Sequence, residues 1–224
     1  MLVQREEYLN KLIAFRDKQI IKVITGVRRC GKSTLMEMFQ AYLLEQGVQQ
    51  EQLIAINFED YDFHELRNPD KLYAYIKAKL INGKKNYIFL DEIQHVENFP
   101  EVVDSLFIKK EVDLYLTGSN AYMLSSEIAT LISGRYVTIS MLPLSFREYV
   151  SSTGDTRELS RKYTAYLETS SFPYALELAD QPRELRDYLE GIYHTIVLKD
   201  IALRRKITEP MMLESVMRFI FDNI

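Results

Sequence analysis

Residues 26–33 read Gly-Val-Arg-Arg-Cys-Gly-Lys-Ser, a G-x-x-x-x-G-K-S sequence set between a short β-branched run and an amphipathic segment. No other feature restricts the fold as tightly. Gly26 and Gly31 let the backbone wrap a phosphate, with the N–H groups of Val27, Arg28, Arg29 and Cys30 turned inward at a helix N-terminus. Such a loop needs a strand before it and a helix behind it. Residues 20–25 (IIKVIT) supply the strand, and residues 32–46 supply the helix, with Leu35, Phe39, Tyr42 and Leu43 at helical spacing and Gly47 at its end. Lys32 is then placed to reach the β- and γ-phosphates, Ser33 to ligate Mg²⁺, and Thr34 to donate to the α-phosphate. The alternative, a surface loop that happens to hold two glycines, does not account for the flanking elements.

A phosphate loop of this kind calls for an apolar strand ending in an acidic residue. Tyr87-Ile88-Phe89-Leu90-Asp91-Glu92 is that strand. Asp91 is expected to hold the Mg²⁺ shell through Ser33 and water, and Glu92 to polarise a water against the γ-phosphate. A second strand, residues 112–117 (VDLYLT), runs into Gly118-Ser119-Asn120. Asn120, Ser119 and Thr117 are all candidates for orienting that water, against the plainer reading of a turn after a strand. Arg135 precedes a last strand. It either enters a neighbouring subunit's site or pairs with a local carboxylate.

Other residues carry less. Gln94 follows the acidic pair and is a candidate for coupling nucleotide state to a partner. His64, His95 and His194 lack metal-ligand spacing and read as structural or exposed. Arg28 and Arg29 are expected to face solvent. Residues 203–206 (Leu-Arg-Arg-Lys) read as a charged helix end, with nucleic-acid contact as the alternative. Alkylation of Cys30 is expected to block nucleotide binding by filling the phosphate cradle.

Strands at 20–25, 53–58, 87–90, 112–117 and 136–140 alternate with helical stretches at 32–46, 69–80, 100–109 and 121–132. That alternation predicts an α/β domain, a parallel sheet flanked by helices, over residues 1–150. Beyond it, residues 157–167, 183–205 and 211–222 look helical, punctuated by Pro173, Pro182 and Pro210. They form a helical lid over 151–208 and the opening of a further, cut-off domain over 209–224. With 28 Lys+Arg against 32 Asp+Glu, the net charge of −4 argues against a polyanion binder along the whole chain. One cysteine excludes an internal disulfide framework and points to a reducing cytoplasm. Residues 1–10 do not read as a signal peptide, and no apolar run approaches bilayer length.

The chain resembles an AAA+ ATPase, and more narrowly a bacterial and archaeal group of predicted ATPases with a C-terminal domain of unknown function. The likeness rests on residues 26–33, Asn57-Phe58-Glu59, Leu90-Asp91-Glu92-Ile93-Gln94, Leu116-Thr117-Gly118-Ser119, Ser133-Gly134-Arg135-Tyr136 and Leu142-Pro143-Leu144-Ser145-Phe146-Arg147-Glu148. It implies a five-stranded sheet of order 5-1-4-3-2 with a helical lid after it, and the arginine-finger position at Arg135. It also implies a second arginine in the lid, where Arg183 and Arg186 lie outside any matched motif, and a winged-helix-like C-terminal start. Two readings share this site. One is a Mg²⁺-dependent ATPase, favoured by Glu92. The other is a switch that binds ATP or ADP, turns over negligibly, and acts on a DNA or protein client through the C-terminal part. A GTPase is disfavoured by the lack of an N-K-x-D motif. Expected partners are ATP, a second copy of the chain, and that client.

Overall fold

Strands β1 (Ile21–Gly26) and β3 (Asn86–Asp91) are buried at every position. That pattern belongs to inner strands covered on both faces. The structure, a computed structural model, describes residues 3–119, 134–154, 157–196 and 210–223. Three further strands, β2 (Leu53–Asn57), β4 (Val112–Ser119) and β5 (Tyr136–Met141), complete one sheet of order β2-β3-β4-β1-β5 with every pair parallel. Read from the other edge, this is the 5-1-4-3-2 order that the resemblance implies. Edge strand β2 alternates, with Ile54 and Ile56 buried and Ala55 and Asn57 exposed.

The strand pleat sorts side chains into two layers. Ile88 and Leu90 of β3 join Leu114, Leu116 and the apolar faces of α3 (Pro69–Lys79) and α4 (Phe99–Phe107). Tyr87 and Phe89, one residue out of phase, join Tyr115, Ile24 and the faces of α1 (Glu6–Ala14) and α2 (Lys32–Glu45). Phe89 stacks on Tyr115 at 4.9 Å between ring centroids, and Phe39 of α2 sits 5.0 Å from Tyr115. Helix α3 starts as its sequence dictates, with Pro69 in the first turn and the Asn68 side chain accepting from the Lys71 N–H.

Two charged residues lie inside this apolar sheet. Lys22 of β1 and Asp113 of β4 are both fully buried and form an ion pair. Asp113 also accepts from the Tyr115 hydroxyl at 2.8 Å and from the Asp17 N–H at 2.9 Å, and the Lys22 ammonium donates to the Lys18 carbonyl at 3.0 Å. Burial still holds the Lys22 pKa below the ordinary lysine value despite Asp113, and pushes that of Tyr115 up. Nearby, Tyr87 donates to Asp17 at 2.7 Å, and burial with that bond pushes its pKa up to about 12.

The described residues divide into two compact units, Gln4–Leu142 in one and Val3 with the residues from Pro143 onward in the other. Residues 143–150 fall in the helical unit, with α5 (Phe146–Ser152), α6 (Leu159–Thr169), α7 (Pro182–His194) and α8 (Pro210–Asp222). Their place there has a packing reason: Phe146 and Tyr149 of α5 lie against Tyr163 and Tyr166 of α6. A reciprocal Ser145–Glu148 capping box opens α5. Helices α1 and α5 add to the helical stretches read from the sequence. The helix expected over 183–205 is described as Pro182–His194 with a π turn through residues 195 and 196, and the one expected over 121–132 lies outside the described residues.

Candidate functional site

Parallel pairing brings the C-terminal ends of all five strands to one end of the sheet. Gly26 lies in register with Ser119 and with Met141, and Asp91 with Asn57. The loop that leaves β1 there is tightly built. A Cβ on Gly26 would stand 2.4 Å from the Met141 carbonyl oxygen and 2.8 Å from Cys30 Sγ, so only glycine fits. Gly31 has φ +100, the left-handed turn that starts α2. Lys32 opens that helix with its ammonium 3.3 Å from the Gly26 carbonyl and 3.4 Å from Glu92 Oε1, only 4% of its side chain being exposed. Ser33 and Thr34 follow, half-buried, in the first turn.

The acidic edge faces this lysine. Asp91 is buried, which raises its pKa, while hydrogen bonds from Ser33 and Thr117 and the charge of Lys32 pull the other way. Thr117, fully buried, donates its hydroxyl to Asp91 Oδ1 and accepts from the Glu92 N–H at 2.9 Å. Its single O–H is therefore spent on Asp91, and Thr117 ties the acidic pair to β4 rather than presenting a donor to water. Glu92 takes the left-handed conformation, φ 54, and its Oε2 accepts from the Gln94 amide. Such backbone costs about 1–3 kcal/mol for a residue with a side chain and clusters at functional sites.

Several expectations change. Arg28 does not simply face solvent: its guanidinium pairs with Glu59 at 2.7 Å, joining the loop to the end of β2. Arg29 is exposed, and Val27 packs on the apolar layer below. Cys30 is fully buried in that layer with Leu35 and Phe39, not in the cradle, and burial pushes its thiol pKa up. An alkylating agent therefore meets little thiolate and reaches Cys30 only when the loop opens.

Arg135 sits before Tyr136, which is in register with Ile21, so it lies at the opposite end of β1 from the loop. At the rise of an extended strand this is about 16–20 Å from its own chain's Gly26. Its guanidinium pairs with Asp104 at 3.0 Å, the local pairing weighed above. Of the water-orienting candidates, the Ser119 backbone lies beside Gly26, and Asn120 is outside the described residues, as are residues 203–206. His64 stacks on Tyr61, His95 is exposed, and His194 is 3.7 Å from Glu190. Arg183 and Arg186 are exposed on α7 of the helical unit.

Arg5 is marked by no local pattern in the sequence. It is 3% exposed, donating to the Cys30 carbonyl at 3.0 Å and the Leu142 carbonyl at 2.7 Å, with the Tyr8 ring against its guanidinium. The Leu142 N–H in turn donates to the Tyr8 hydroxyl at 3.2 Å. The start of α1 thus clamps the loop after β1 to the end of β5. Arg5→Met is expected to cost about 1–3 kcal/mol of stability, since two carbonyls lose a charged donor. Urea unfolding checks this, and an unchanged midpoint would contradict it.

A family model described as an AAA domain matches residues 18–150. The chain is 38% identical over 227 residues to an uncharacterized protein of Haemophilus influenzae, covering 100% of this chain and 56% of that protein. It is 32% identical over 220 residues to another from Methanocaldococcus jannaschii, covering 91% of this chain and 47% of that protein. The chain therefore spans about half the length of the curated relatives it matches. Among solved structures, a Walker-type ATPase of Pyrococcus abyssi aligns with a TM-score of 0.59 at 16% identity, over 92% of this chain and 77% of that one. AMPPCP-bound DnaA from Aquifex aeolicus aligns with a TM-score of 0.50 at 15% identity, over 88% and 67%. At such identities the likeness is one of fold.

Proposed function

Because the chain belongs to the AAA domain family, we propose that its loop 26–34 binds ATP with Mg²⁺ and that Glu92 drives ATP hydrolysis. The observation that carries this reading is a buried lysine and a buried glutamate 3.4 Å apart, at the head of a helix and beside a second buried carboxylate. Loop N–H groups and Lys32 take the phosphates, and Thr34 the α-phosphate. The fit to Mg²⁺ rests on donor chemistry. Asp91 is a carboxylate with its pKa raised by burial and the Ser33 hydroxyl bonded to it, a pair of hard oxygens that a cation would stabilise. Bound there, Mg²⁺ would neutralise phosphate charge.

Glu92 takes a proton from water as the water oxygen bonds to the γ-phosphorus. The bond from that phosphorus to the β–γ bridging oxygen breaks, and its electron pair leaves with ADP. Asn120 or Ser119 orients the water. Arg135, remote from its own loop, serves the site of a second copy, which makes the working form a homo-oligomer. No described helix is long and apolar enough to cross a membrane.

One observation favours the second reading, a nucleotide-bound switch with negligible turnover: both oxygens of Glu92 are engaged, by Lys32 and Gln94. Phosphate release from MgATP, measured against protein concentration for the wild type and Lys32→Ala, separates the two. Hydrolysis predicts a rate per chain that rises with concentration and is lost in Lys32→Ala. Tight binding without release in the wild type would leave the switch.

A further inference from the structure

An ionised carboxylate only accepts hydrogen bonds, and the two oxygens of Glu92 meet different donors. Oε1 faces the Lys32 ammonium at 3.4 Å, and Oε2 takes the Gln94 side-chain N–H. Gln94 pays for this contact. Its own Oε1 is buried and has no hydrogen-bond partner among the described residues. A buried acceptor left unmet costs about 1–3 kcal/mol. Exchanging the two ends of the amide would be worse, because oxygen would then face the carboxylate. The left-handed backbone at Glu92 adds further strain at the same point. A side chain that keeps its donor on one carboxylate oxygen at the expense of its own acceptor is placed for that carboxylate, and packing alone does not explain it.

We infer that Gln94 is a positioning residue for Glu92, selecting which of its oxygens acts as the base. This rests on the hydrolytic reading above. Phosphates compete for Lys32 and draw it from Glu92, whereas nothing in a phosphate competes for an amide held at Oε2. Binding ATP therefore frees Oε1 alone. That oxygen lies 3.4 Å from the Lys32 ammonium, on the side where the lysine meets the phosphates, and it is the one that takes the proton from water. Gln94 keeps Oε2 fixed throughout, so the carboxylate cannot rotate away.

The experiment is a double-mutant cycle on single-turnover hydrolysis of MgATP, with the ATP dissociation constant measured for every protein. Gln94→Met keeps the side chain's length and removes the amide. It is expected to slow hydrolysis about 10- to 100-fold, as loss of an outer partner of a working group does, while ATP binds as in the wild type. In a Glu92→Gln background the same change is expected to cost nothing more, because Gln94 acts through Glu92. Gln94→Glu, equal in size, sets one carboxylate against another and is expected to be at least as slow. An equal loss in both backgrounds would overturn the inference, as would full activity in Gln94→Met. A wild type that binds ATP but releases no phosphate would overturn the hydrolytic reading itself, and the wild-type arm alone reports that.

Discussion

Glu92→Gln is expected to lower the hydrolysis rate about 10²–10⁴-fold while ATP still binds. The amide matches the carboxylate in size and can still lie near Lys32, so the phosphate loop and its lysine stay in place. What it lacks is a basic oxygen for the proton that water must lose. The Thr117 bond to the residue 92 N–H is a backbone contact and survives the change. The result to look for is a split: a rate near background beside an unchanged dissociation constant. Loss of binding equal to the loss of rate would mean that Glu92 serves mainly to hold the loop through Lys32.

The largest expected effect on stability lies at the far end of the sheet. Asp113→Ala leaves Lys22 fully buried without its carboxylate, and leaves the Tyr115 hydroxyl and the Asp17 N–H without their acceptor. Removing one partner of a buried pair costs about 3–5 kcal/mol, a large share of the 5–15 kcal/mol typical of a domain. Urea unfolding measures it. Replacing both residues, as Lys22→Met with Asp113→Leu, is expected to recover part of the loss, since the isolated charge disappears while Tyr115 and Asp17 stay unpaired. A loss below about 1 kcal/mol in Asp113→Ala would show the pair to be solvated in solution.

Much of this architecture was written in short stretches of the chain. The β1–loop–α2 unit needs glycine, lysine and serine at fixed spacing, and periodicity marked each described strand to within two residues at either end. Strand order came from the resemblance, because alternation says which residues face a layer and not which strands are neighbours. The pair Lys22–Asp113 did leave a signal: one charged residue within each of two mainly apolar strands, IIKVIT and VDLYLT. Helix α1 also had one, with Tyr8, Leu9, Leu12 and Ile13 at helical spacing, but Arg5 offers no capping side chain to mark its start. The acidic pair was readable, and its tether to Thr117 was not, since that bond joins residues 26 apart in sequence on neighbouring strands. The Arg5 clamp reaches 137 residues away, beyond any local pattern. The Cys30 side chain was misplaced for a related reason: a loop's spacing gives its backbone path, and neighbouring elements decide where each side chain goes.

The central claim is that the loop around Lys32 is a nucleotide site. Equilibrium titration of the wild type and Lys32→Ala with AMPPCP in the presence of Mg²⁺ tests it most directly, because it needs neither turnover nor a partner. The account predicts saturable binding of one nucleotide per chain in the wild type, weakened at least tenfold in Lys32→Ala with the fold retained. Equal binding by the two proteins, or none by a folded wild type, would contradict it.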